Sequence, residues 1–120
     1  MLRLAATALL LASLGCHSAE QVCTLLPCPN GLTVTVANTP AGQVVVRATV
    51  PGSTNEYVAE CSGGSVCSVY FSDFTPPSVT LVVTAGGTTR TQTVAPVYTT
   101  RQPNGPNCGT CRNATVAIVW

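Results

Sequence analysis

From residue 31 onward the apolar and polar positions alternate with a period of two, and no stretch carries a 3.6-residue apolar stripe. The chain therefore predicts strands and no helix. Residues 31 to 37, GLTVTVA, place Leu32, Val34 and Val36 on one face and Thr33 and Thr35 on the other, the pattern of a half-buried strand. In residues 43 to 50, QVVVRATV, Val44, Val46, Ala48 and Val50 point one way and Arg47 and Thr49 the other, before Pro51-Gly52 turns the chain. Residues 55 to 61 and 67 to 72 read as a hairpin around SGGSV, with Tyr57, Ala59 and Cys61 sharing a face with Cys67, Val69 and Phe71. Residues 78 to 85 and 88 to 95 form a second hairpin around Gly86-Gly87, a dipeptide that supplies the positive φ angles of a two-residue turn. The later of these strands, TTRTQTVA, is polar on both faces and runs into Pro96, which marks a sheet edge. Residues 113 to 120 alternate through Ala114, Val116, Ile118 and Trp120. About seven short strands spaced roughly ten residues apart predict a single all-β, antiparallel sandwich over residues 31–120.

Composition agrees with this and removes several functions. At 120 residues the chain has room for one core. Only 8% of it is charged, all five basic residues are arginine, and they nearly balance Glu20, Glu56, Glu60 and Asp73. No basic patch exists to grip a phosphate backbone, so nucleic acid is not an expected partner.

The segment before the sandwich has its own logic. Residues 1–15, MLRLAATALLLASLG, hold one positive charge at Arg3, an apolar run from Leu4 to Leu14 and the small Gly15, which is the layout of an export signal. Crossing a membrane needs about 20 apolar residues, and this run is shorter. Ser13-Leu14-Gly15-Cys16 resembles the lipobox of bacterial lipoproteins, in which the cysteine after the cleaved bond becomes lipidated. Gly15 and Cys16 match that motif, whereas Ser13 stands where leucine is usual, and cleavage after Gly15 without lipidation is the alternative. The resemblance implies removal of residues 1–15, an acylated Cys16 and a lipidated segment 16–30. His17 is not the aspartate that marks inner-membrane retention in some bacteria, which points to the outer membrane of the cell envelope.

Seven cysteines less Cys16 leave an even set: Cys23, Cys28, Cys61, Cys67, Cys108 and Cys111. In an exported chain such a set reads as a framework of disulfides, each contributing roughly 2 to 4 kcal/mol. Cys61 and Cys67 flank SGGSV and stand opposite one another, so they are expected to bond. For the other four, Cys23 and Cys28 against Cys108 and Cys111 constrains the unfolded chain most. The local pairing, Cys23 with Cys28 and Cys108 with Cys111, stays open.

Strand number and length resemble immunoglobulin-like, fibronectin-like and transthyretin-like sandwiches, although the Cys…Trp…Cys order of antibody domains is absent. The anchor motif, the cysteine pair before GLTVTV and the PNGPNCGTC segment before the last strand together resemble a class of small bacterial lipoproteins. That resemblance implies compartment and topology, and no activity.

The candidate chemistry is sparse. The single histidine, His17, lies beside the anchor, so no base is placed for a nucleophile. Glu56 and Glu60 are four apart on a strand, about 13 Å, too far for a glycosidase pair, and read as solvated. Asp73 reads as a turn residue before Pro76-Pro77. No cofactor and no metal is expected. The Cys108/Cys111 C-x-x-C spacing raises the alternative of an exported thiol-disulfide oxidoreductase, but such motifs open a helix, and here a strand follows. The favoured expectation is a non-catalytic, membrane-anchored module with a structural or binding role. Its partners would be the membrane through the lipid and an envelope protein or surface ligand. The long polar loop 98 to 107, with Tyr98, Arg101 and Asn104, is the expected binding loop.

Overall fold

In a computed structural model of the chain, which describes residues 22–120, the alternating segments become eight strands and no helix. They are β1 (Gly31–Ala37), β2 (Gln43–Thr49), β3 (Glu56–Ser62), β4 (Val66–Ser72), β5 (Val79–Ala85), β6 (Thr88–Val94), β7 (Thr99–Arg101) and β8 (Cys111–Val119). They form two four-stranded sheets in the orders β4-β1-β8-β7 and β3-β2-β5-β6. The export signal, Cys16 and His17 lie outside the described residues.

The core lies where the pattern put it. Leu32, Val34, Val36, Cys67, Val69, Phe71, Ala114, Val116 and Ile118 from the first sheet meet Val44, Val46, Ala48, Val79, Leu81, Val83 and Ala85 from the second, all buried. Successive side chains on a strand point to opposite faces, so each sheet can bury one set of alternate positions against the other. The Gly86-Gly87 turn joins β5 and β6 with φ of 56° and 78°, the primed geometry whose twist matches the flanking strands. The sheet edge expected for TTRTQT is realised: β6 ends its sheet and is exposed over six successive positions.

Three expectations need correction. The sandwich is not wholly antiparallel, because β1 and β8 pair in parallel from Gly31↔Asn113 to Ala37↔Val119. Alternation reports which face is buried and is blind to the direction of the neighbouring strand. The polar loop after Tyr98 contains a further strand, β7, whose three residues pair antiparallel with the start of β8 and are too few to show a period. Most informative, β3 and β4 are not a hairpin. β3 pairs with β2 in one sheet and β4 with β1 in the other, so the Ser62–Val66 connection crosses the sandwich. A five-residue connection brings its two flanking inward residues together either way, across a ladder or across a corner between sheets, so spacing alone does not separate the two. The corner is tight. Gly63 packs so closely on the Pro40 carbonyl that a Cβ has no room, while its amide donates to Gly42 O at 2.7 Å.

Candidate functional site

Residues 22–30 form no strand, yet they are tied down at several points, first to the 102–110 segment and then, at Cys28 and Asn30, to the start of β8 in the first sheet. Two disulfides fix this strap, Cys23–Cys108 with Cα atoms 5.5 Å apart and Cys28–Cys111 at 5.3 Å. Between them the Asn104 side chain behaves like a backbone unit. Its Oδ1 accepts from Leu26 N at 2.7 Å and Thr24 Oγ1 at 2.8 Å, and its Nδ2 donates to Leu26 O at 3.0 Å. Thr24 N also donates to Asn104 O at 3.1 Å. At the strap's end Asn30 Oδ1 accepts from Arg112 N, and Asn30 O accepts from both Asp73 N and the Tyr70 hydroxyl, each at 2.8 Å.

The Tyr70 contact explains a glycine. Tyr70 lies across Gly31 on the outer face of the sheet, and its ring occupies the space that a Cβ on residue 31 would need. An aromatic ring folded over a strand glycine replaces the missing side chain and shields the backbone beneath it. Asn30 is not among the candidate site residues. The Asn-Gly dipeptide at 30–31 was the available signal, and it marks a backbone speciality without saying what lies above it.

The predicted binding-loop residues have separate fates. Asn104 spends its amide on the strap. Tyr98 is half-buried, its hydroxyl donates to Pro76 O at 2.7 Å, and the Arg112 guanidinium sits 4.8 Å above its ring. Burial pushes the Tyr98 phenol above its ordinary pKa, against a smaller downward pull from the Arg112 charge. Arg101 is exposed and, among the described residues, makes no ion pair.

Cys108 and Cys111 are not bonded to one another. Each is joined to a cysteine more than eighty residues away, and Cys111 is buried at the start of β8. The pairing left open above is thus the long-range one. Cys61 and Cys67 are bonded too, with Cα atoms 5.6 Å apart, and their bridge links the two sheets at the β3–β4 corner. The carboxylates are engaged on the outer face of the second sheet: Glu56 pairs with Arg47 at 2.8 Å and Glu60 accepts from Gln43 at 2.7 Å. Among the described residues no three His, Cys, Asp or Glu side chains converge as a metal site would require.

A cavity of about 140 Å3 opens between the β6 edge and the end of β8, lined by Leu81, Val83, Ile118 and Trp120. Arg90 closes it, its guanidinium 4.8 Å from the Trp120 ring. This cleft lies at the far end of the sandwich from the strap, since parallel β1 and β8 both run away from it. Compared with known proteins, the chain matches no family model, no curated protein and no solved structure.

Proposed function

We propose that the protein is an exported, lipid-anchored component of a bacterial cell envelope whose sandwich is a non-catalytic structural or binding module. Three disulfides in so small a domain are consistent with export from the cytoplasm. One observation carries the reading further: all six cysteines of the described domain are paired, leaving Cys16, at the lipobox-like position, as the one cysteine without a disulfide role to explain. The strap is built for such an anchor. From Cys16 to Cys23 the chain spans at most about 25 Å, and from Cys23 onward it is locked to the domain, so the sandwich is held near the bilayer and not on a long tether. Several acyl chains at about 0.8 kcal/mol per buried methylene make the attachment effectively permanent.

Within the sandwich families, the strand order favours the transthyretin-like alternative over the immunoglobulin-like one. In the immunoglobulin arrangement the first two strands share a sheet, whereas here β1 and β2 lie in opposite sheets. The test is intact mass spectrometry of protein purified from its native membrane, alkylated without reduction. Acyl mass on Cys16 and no alkylated thiol are expected. An unacylated Cys16 overturns the anchor, and alkylation of Cys108 or Cys111 returns the redox reading.

A further inference from the structure

The strap presents its apolar side chains outward. Leu25 is 98% exposed, Val22 85% and Leu26 56%, an unusual degree of exposure for neighbouring large apolar residues. Elsewhere in a short surface segment such side chains would fold back on the core. Here the backbone is pinned on both sides, by Cys23–Cys108 and Cys28–Cys111, and in the middle by Asn104, so the leucines are held away from the domain. Neither the strap nor the 102–110 segment that clasps it contains a charged residue. Arg101, adjoining that segment, is an exposed cation. Among the described residues the acids stand apart: Asp73 meets the Asn30 end, Glu56 is paired with Arg47 and Glu60 accepts from Gln43, while Glu20, two residues before Val22 in the chain, lies outside the described residues.

We propose that Val22, Leu25 and Leu26 form a membrane-docking tip that enters the interface of the phospholipid leaflet carrying the anchor, with Arg101 facing anionic headgroups. The inference rests on the anchor reading above. The chain preceding the described residues joins the domain at Val22, the first residue of the tip. A bilayer attached at Cys16 is therefore the surface within reach. Apolar side chains at the headgroup boundary with a basic residue beside them are the elements of interfacial binding. The tip would give the anchored domain a fixed orientation, with the Trp120 end of the sandwich pointing away from the membrane.

The test uses the full lipidated chain reconstituted in vesicles of phosphatidylethanolamine and phosphatidylglycerol, with lipids brominated high on the acyl chain. Leu25→Trp and, separately, Leu26→Trp are placed in a Trp120→Phe background, with Val58→Trp on the outer face of β3 as the reference. A tip entering the interface by about 5 to 10 Å gives tip tryptophans quenched at least about twofold more than Val58→Trp. Equal quenching overturns the docking while acyl mass on Cys16 leaves the anchor standing, and it is the result expected of a tip that docks on protein instead. If Cys16 proves unacylated, the anchor reading fails and the tip is judged alone. Co-flotation of the chain with these vesicles, abolished by Leu25→Asp, then supports docking, and no co-flotation overturns it.

Discussion

The two ends of the sandwich are both stapled by disulfides, and the staples differ in kind. At the strap end Cys23–Cys108 and Cys28–Cys111 close sequence separations of 85 and 83, whereas at the β3–β4 corner Cys61–Cys67 closes a separation of 6. A bridge acts largely by restricting the unfolded chain, and the restriction grows with the logarithm of the loop it closes. The strap bridges enclose the whole set of strands from β1 to β7, so they limit every route by which the sandwich opens. The corner bridge limits one turn. Its value is positional, because it ties the end of β3 in one sheet directly to the start of β4 in the other. The strap end also holds two clusters of side-chain hydrogen bonds, one around Asn104 and one around Asn30, while the corner relies on backbone bonds such as Thr39 N to Ser65 O at 3.3 Å.

Removing the strap staples should show the largest effect. Replacing Cys23, Cys28, Cys108 and Cys111 together by alanine is expected to lower stability by about 6 kcal/mol, most of it from the first long loop and about 2 kcal/mol from the second, which closes only a short ring once the first exists. A loss of that size approaches the whole stability of a small domain, so a urea transition displaced to very low concentration or missing is the expected result. Cys61→Ala with Cys67→Ala should cost about 2 kcal/mol by the same reasoning, and a larger loss than the strap variant would refute the ranking. Gly31→Ala forces Tyr70 off its position and is expected to cost about 1 to 2 kcal/mol; the cost should shrink when Tyr70→Ala is already present, a coupling read from a double-mutant cycle. Asn104→Ala removes side-chain bonds that water partly replaces, so about 1 kcal/mol is expected, with faster hydrogen exchange at the Leu26 amide as the local readout.

The smallest effect is one of pH. The Tyr98 phenol has a folded pKa above its unfolded value, so its neutral form is the one folding favours. The associated stability is complete below the unfolded pKa, near 10, and is lost as pH rises through the higher folded value. Tyr98→Phe should remove this alkaline decline while lowering stability modestly at neutral pH through the lost bond to Pro76 O. An alkaline decline that persists in Tyr98→Phe would assign it to another group.

The chain's own alternation located nearly every strand because each sheet has one dry face. Leu32, Val34 and Val36 can only be buried together if their backbone is extended, and the same holds for Ala114, Val116 and Ile118. The candidate site was legible in part. Cysteine parity and export logic pointed to a stapled domain, but parity does not rank the pairings. Asn104 reads in sequence as part of a polar binding loop, and the structure shows its amide clasping the strap, a role that the sequence does not display. A lone asparagine looks the same in sequence whether its amide faces solvent or meets a backbone seventy-eight residues away. Gly31 likewise showed no sign of Tyr70, because the two residues meet diagonally across paired strands.

Local physics was therefore enough for the elements: period-two burial, the Gly86-Gly87 turn and the exposed β6 edge each depend on a few consecutive residues. Tertiary structure decided what those residues do together. The parallel pairing of β1 with β8, the crossing of Ser62–Val66 between sheets and the long-range disulfide partners all join segments whose separation along the chain carries no local signature. Such contacts are selected by the joint burial of two sheets' inner faces. The C-x-x-C at Cys108 and Cys111 shows the consequence: a spacing that suggested a redox pair becomes, once the fold closes, two anchor points for the strap.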